Sequence, residues 1–157
     1  MANTNTLGII FSNMHDETIN ELTAKRTMGS IPYGGRYRLV DFALSNMVNS
    51  GIYDVGVVTK SNYQSLMDHV SSGREWDLAR KRKGLNILPP FGNAGGGIYR
   101  GKLEALANIS SFIQHSNEDY VVMTDCDLVA NIDYNELLEF HKANNADITV
   151  AYKVQEI

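Results

Sequence analysis

With 157 residues the chain fits one domain, long enough to bury about two thirds of its unfolded surface around a single core. A formal net charge of −4 argues against a general nucleic-acid binder, and the single cysteine, Cys126, excludes a disulfide framework. Met1 to Thr6 has neither a basic start nor an apolar run, and no stretch reads as a membrane span, so the cytoplasm is the expected compartment.

Strand-like and helix-like runs alternate along the chain. "LGIIF" (residues 7–11) is an apolar strand that enters a loop, 12–18, without a single glycine. A helix is expected near 41–50, then the strand "IYDVGVVT", a helix near 62–71 and the strand "LNILP". A helix over 101–115, the strand "DYVVMTD", a helix over 133–144 and a last strand-like run, "DITVAYKV", complete the order. Asp41 and Asp133 suit N-caps, and Gly51 and Gly73 suit left-handed positions after helices. Continuous apolar strands alternating with helices predict an α/β fold, Rossmann-like, with a mostly parallel sheet covered by helices on both faces. Because the chain stops where a strand should connect onward, residues 1–157 are expected to be the N-terminal part of a longer domain.

Ligands of such sheets bind beyond the carboxyl ends of the strands, which gathers residues 12–30, 92–101 and 124–131 into one crevice. Gly96, Gly101 and Lys102 match Walker A spacing, but Leu103 stands where a hydroxyl must bind Mg²⁺, so a P-loop is rejected. Gly101 opens a helix, and an anion could meet N–H groups there. Asp125 and Asp127 end a strand two residues apart, a pattern that suits Mg²⁺ beside phosphates and equally suits a capped loop. Cys126 between them reads as a small buried residue. In "SIPYGGRYRLVDF", Gly34 and Gly35 permit a tight turn, and Arg36 and Arg38 present two guanidinium groups for phosphate or for carboxylates such as Asp41. The basic run Arg80 to Lys83 reads as a solvated loop that could attract a small anion, and the four histidines show no metal-ligand spacing.

The run "IPYGGRYRLVDFALSNMVNSGI", followed in order by "VGVVTK", "IYRG" and "YVVMTDCDLVANIDY", resembles the N-terminal domain of ADP-glucose pyrophosphorylase, the glucose-1-phosphate adenylyltransferase. The resemblance implies a nucleotidyltransferase domain of glycosyltransferase-A-like type, with the rest of that domain and a C-terminal parallel β-helix absent from this chain. It also implies a reaction of ATP with glucose 1-phosphate, Mg²⁺ as cofactor, and tetramers tuned by metabolites.

The resemblance breaks where the family's chemistry sits. Its GGxGTRL loop falls on Asn13, Met14, His15, Asp16, Glu17, Thr18 and Ile19, so every glycine of the phosphate cradle is gone. The family's pyrophosphate-orienting arginine falls on Thr18 and its lysine on Met28. Its GTADA stretch becomes Gly101-Lys102-Leu103-Glu104-Ala105, which keeps the first glycine, and its metal-binding aspartate falls on Asp127. Gly101 and Asp127 are thus the expected remnants of a nucleotide or sugar-phosphate site, with Asp127 the one expected metal ligand. Lys25, Arg26 and Arg38 match a basic cluster that binds phosphorylated effectors in catalytic relatives. Catalysis erased and body retained is the pattern of the regulatory subunit that certain Gram-positive bacteria pair with a catalytic homologue. The expected partners are that catalytic subunit and a phosphorylated metabolite, in a tetrameric assembly, with no nucleic acid and no membrane. An active nucleotidyltransferase with an unusual loop, and a sugar-nucleotide-dependent glycosyltransferase using Asp125 and Asp127 as a DxD metal pair, are the alternatives.

Overall fold

A computed structural model describes residues 5–12, 14, 16–90 and 99–154, with backbone alone for Glu17 and Thr18. The first strand, β1 (Thr6–Phe11), is buried along its whole length and lies at the centre of a four-stranded parallel sheet. Its neighbours are β4 (Asp54–Val58) and β6 (Tyr120–Asp125), and β5 (Gly84–Leu88) flanks β4, giving the order β5-β4-β1-β6. Ile9 pairs with Gly56 on one side and with Met123 on the other. A short antiparallel hairpin of β2 (Pro32–Tyr33) and β3 (Tyr37–Arg38) stands apart from this sheet. Gly34 and Gly35 carry it through φ of +61° and +78°, the left-handed region that glycine enters without steric cost.

Among the described residues, six α-helical segments accompany the strands. They are α1 (Asn20–Thr23), α2 (Leu39–Asn49), α3 (Gln64–Val70), α4 (Lys102–Asn108), α5 (Ser110–His115) and α6 (Tyr134–Ala143). Alternation along the strands divides the core into two layers, as the continuous apolar runs predict. Ile10, Val55 and Val57 pack with Val40, Leu44 and Met47 of α2 and Leu66 of α3, and Tyr134 of α6 joins that layer. Leu7, Ile9, Phe11 and Val58 form the opposite layer with Tyr99, Ala105 and Ile109. Gly56 is required by this packing: a Cβ there would lie 2.7 Å from Leu88 Cδ1 and 2.8 Å from Phe112 Cε1.

Helix ends follow local chemistry. Asp133 caps α6 as expected, its carboxylate accepting the Asn135 N–H at 2.9 Å. Gly51, at φ +78°, closes α2 in a Schellman turn in which its N–H reaches Val48 O and the Ile52 N–H reaches Met47 O, each at 2.9 Å. Gly73 is left-handed too, at φ +74°, and leads into the single turn Arg74–Trp76.

Three expectations are corrected. Asp41 is not the N-cap of α2; the helix starts at Leu39, and Asp41, in its first turn, accepts the Arg38 N–H at 2.9 Å. The helix expected over 101–115 is two, broken at Ile109, whose ψ of 12° leaves the helical range. Asn108 Nδ2 donates to the Glu104 carbonyl at 2.8 Å there, the kind of local side-chain bond that competes with a helical ladder. Residues 147–154 form no strand: Ile148, Val150, Tyr152 and Val154 are exposed, with no second layer among the described residues to bury against.

Candidate functional site

The crevice lies beyond the carboxyl ends of β1, β4 and β6, and one carbonyl organises its floor. Ser12, the residue after β1, accepts at its carbonyl oxygen from the Gly29 N–H at 3.0 Å and from Cys126 Sγ at 3.3 Å. Its own N–H and Oγ both donate to Val58 O, at 3.0 and 2.8 Å. The exits of three strands and the short turn Met28–Ser30 are thereby tied together. Cys126 is buried, and that burial, with the negative charges of Asp127, Asp125 and Asp16, pushes its thiol far up. A thiol so placed stays protonated and is no nucleophile, in line with the sequence reading.

The glycine-free loop contributes Asp16, and this carboxylate closes inward. Its Oδ1 accepts the Met28 N–H at 2.9 Å, while its carbonyl accepts from Thr23 Oγ1 at 2.6 Å. A backbone N–H that could meet a phosphate oxygen is thus held by a side chain of the protein itself. Met28 is buried in the core. Met14 packs against the layer formed by Leu7, Ile9 and Phe11. Asn13 and His15 lie outside the described residues, as do the side chains of Glu17 and Thr18. Tyr99, which sequence reasoning did not single out, is buried and donates its hydroxyl to the Thr59 carbonyl. Burial, and then the charge of Asp16, raise its phenol pKa.

The other wall is built from α4 and the end of β6. Gly101 precedes α4 in an extended conformation, and a Cβ there would meet nothing within 4 Å among the described residues. One turn later Glu104 folds back, Oε2 accepting the Arg100 N–H at 2.7 Å, and this bond holds its carboxyl below the usual range. Lys102 Nζ lies 2.7 Å from Asp125 Oδ2 and 5.4 Å from the centre of the Phe11 ring. Asp125 and Asp127 line the same groove, of about 980 Å³, which runs along β6 to residues 147–151. A divalent ion fits this donor set poorly. Lys102 already holds an oxygen of Asp125, and no three acidic, histidine or cysteine side chains gather as a metal site among the described residues.

The basic residues are dispersed in role. Lys25 is exposed and Arg26 half-buried, both just ahead of the Met28 turn. Arg38 Nη1 donates to the Ser65 carbonyl and, at 2.9 Å, to Ser65 Oγ, fastening β3 to α3. Arg36 falls in the hairpin turn, so strand alternation does not set its direction. His69, one of the four histidines without metal-ligand spacing, sits 2.6 Å from Asp41 Oδ1. Nothing in a sequence separation of 28 residues signals that pair.

The pattern of nucleotidyl transferases matches residues 17–157, nearly the whole chain. The chain belongs to the nucleotidyl transferase family. Within it, this nucleotidyl transferase chain is 40% identical over 145 residues to a glucose-1-phosphate adenylyltransferase of Pseudothermotoga lettingae, covering 92% of the chain and 34% of that protein. It is 36% identical over 153 residues to the glycogen biosynthesis protein GlgD of Bacillus subtilis, covering 98% of the chain and 45% of that protein. The chain therefore spans less than half the length of these relatives. A Bacillus anthracis crystal structure described as a glucose-1-phosphate thymidylyltransferase superposes with a TM-score of 0.67 over 88% of this chain and 50% of that one. At 17% identity that likeness shows the fold. Among the described residues, no helix is long and apolar enough to cross a membrane.

Proposed function

We propose that this chain is part of a regulatory subunit of glucose-1-phosphate adenylyltransferase in glycogen biosynthesis, acting in the cytoplasm on a catalytic homologue that makes ADP-glucose from ATP and glucose 1-phosphate. The observation that carries the reading is the Asp16 carboxylate on the Met28 N–H at 2.9 Å. In a catalytic cradle that region offers backbone donors to pyrophosphate; here it offers a carboxylate, and no glycine stands between Ser12 and Ile19. Phosphoryl-type transfer rests on positioning and charge stabilisation, so a negative group facing a negative leaving group removes most of what the fold could supply. The family's arginine and lysine positions, held by Thr18 and Met28, add no positive charge in compensation.

The regulatory role assigns other residues. Lys25 and Arg26, with Arg38, are the proposed receptors of a phosphorylated effector, and the assembly with the catalytic homologue is proposed to be tetrameric. Gly101 and Asp127 are read as remnants of the ancestral site. The test is synthesis of ADP-glucose by the full-length protein alone, by its catalytic homologue alone, and by the two together. The expected result is no turnover by the first and an effector response altered in the third. Robust synthesis by the protein alone, abolished by Asp127→Asn, establishes instead an active enzyme with an unusual loop.

A further inference from the structure

Two carboxylates, Asp125 and Asp127, stand at the end of β6 in a pattern that suits a hydrated divalent cation, and here a lysine reaches one of them. Lys102 stands at the start of α4, half exposed, and its Nζ lies 2.7 Å from Asp125 Oδ2 with the Phe11 ring behind it at 5.4 Å. Asp125 Oδ1 is buried with no hydrogen-bond partner among the described residues, and the ammonium meets this carboxylate at Oδ2. Asp127 lines the same groove.

We infer that Lys102 is a tethered cation on Asp125, beside the expected metal ligand Asp127, so that the Asp125 carboxylate is withheld from Mg²⁺ and Mn²⁺. An ammonium at charge-assisted hydrogen-bond distance takes the oxygen that a metal would take. Mg²⁺ demands near-octahedral oxygen ligands at about 2.0–2.1 Å, which a neighbouring fixed positive charge opposes. The tether also costs no cation from solution, so the carboxylate is neutralised whatever the metal concentration. This inference rests on reading the crevice as a degenerate nucleotidyltransferase site, but it concerns metal occupancy alone and is read without catalysis.

The experiment titrates Mn²⁺ into the full-length protein and follows free Mn²⁺ by its electron paramagnetic resonance signal. Wild type, Lys102→Met, Lys102→Arg and the double variant Lys102→Met/Asp125→Asn are compared, each checked for native circular dichroism. Lys102 projects from the first turn of a short helix and is half exposed, with the Phe11 ring its one aromatic core contact among the described residues, so the circular dichroism check guards against a packing change. The expected result is Mn²⁺ binding at least tenfold tighter in Lys102→Met than in wild type. Lys102→Arg should resemble wild type, and the double variant should lose the gain. Equal affinity in wild type and Lys102→Met overturns the inference, as does a gain that survives removal of the Asp125 carboxylate. ADP-glucose synthesis by the same wild-type sample bears separately on the proposed regulatory role.

Discussion

His69 Nε2 lies 2.6 Å from Asp41 Oδ1, and the other oxygen of that carboxylate accepts the Arg38 N–H at 2.9 Å. One nearly buried side chain in the first turn of α2 thus holds α3 through its histidine and closes the helix start through the backbone. Asp41→Ala leaves a backbone donor and an imidazole without their acceptor, and should cost about 1–3 kcal/mol. Urea denaturation of wild type, Asp41→Ala and His69→Ala measures it. Asp41→Ala should be the more destabilised, because it strands a backbone donor and an imidazole, whereas His69→Ala removes one hydrogen bond and an edge contact with the Trp76 ring.

Asp54, at the start of β4, has its pKa raised by burial first and by the neighbouring Glu118 next, with Lys83 and Ser116 opposing. Lys83 Nζ reaches the buried Glu118 carboxylate as an ion pair, not as a well-angled hydrogen bond. The folded chain therefore holds the Asp54 proton more tightly than the unfolded chain does. That contribution is complete below the ordinary value of 3.8 and is lost as pH rises through the raised one. Asp54→Asn stays uncharged throughout, so its Tm advantage over wild type should be small below pH 3.8 and widen toward neutrality. A constant difference across that range would show that Asp54 does not titrate as its surroundings dictate.

Gly56 sits where Phe112 of α5 and Leu88 of β5 leave no room for a Cβ. Gly56→Ala should overpack this layer and cost about 1–3 kcal/mol. Phe112→Leu, which withdraws the ring, should recover part of that loss in the double variant. Additive losses would mean that the ring and the strand do not share the constraint, and thermal denaturation of the three variants decides it.

Arg38 and Lys25 should separate structure from regulation. Arg38→Ala removes the bonds to Ser65 and should lower stability by about 1 kcal/mol, whatever its effect on an effector response. Lys25 is exposed, so Lys25→Ala should leave stability within about 0.5 kcal/mol and shift the effector curve of the assembled complex. An unmoved curve in Lys25→Ala would remove it from the proposed effector site.

Alternation of apolar runs with helical ones was enough to foretell the parallel sheet, because a strand covered on both faces must be near-continuously apolar, and β1 from Leu7 and β4 from Val55 carry no polar side chain. The Asp133 cap and the left-handed Gly51 were legible for a similar reason, since both depend on residues one to four positions away. The absence of a strand over 147–154 was not, because an unpaired run depends on what lies opposite and not on its own pattern; nor was the break at Ile109, because Asn108 competes with the helical ladder only where its side chain turns back on it. At the crevice, the missing glycines of 13–18 stood in the sequence by themselves. What replaced their function did not: Asp16 meets Met28 across 12 residues, Lys102 meets Asp125 across 23, and Cys126 meets Ser12 across 114. Such partners are chosen by the convergence of strand ends in space, and only the tertiary structure decides which charge falls beside which.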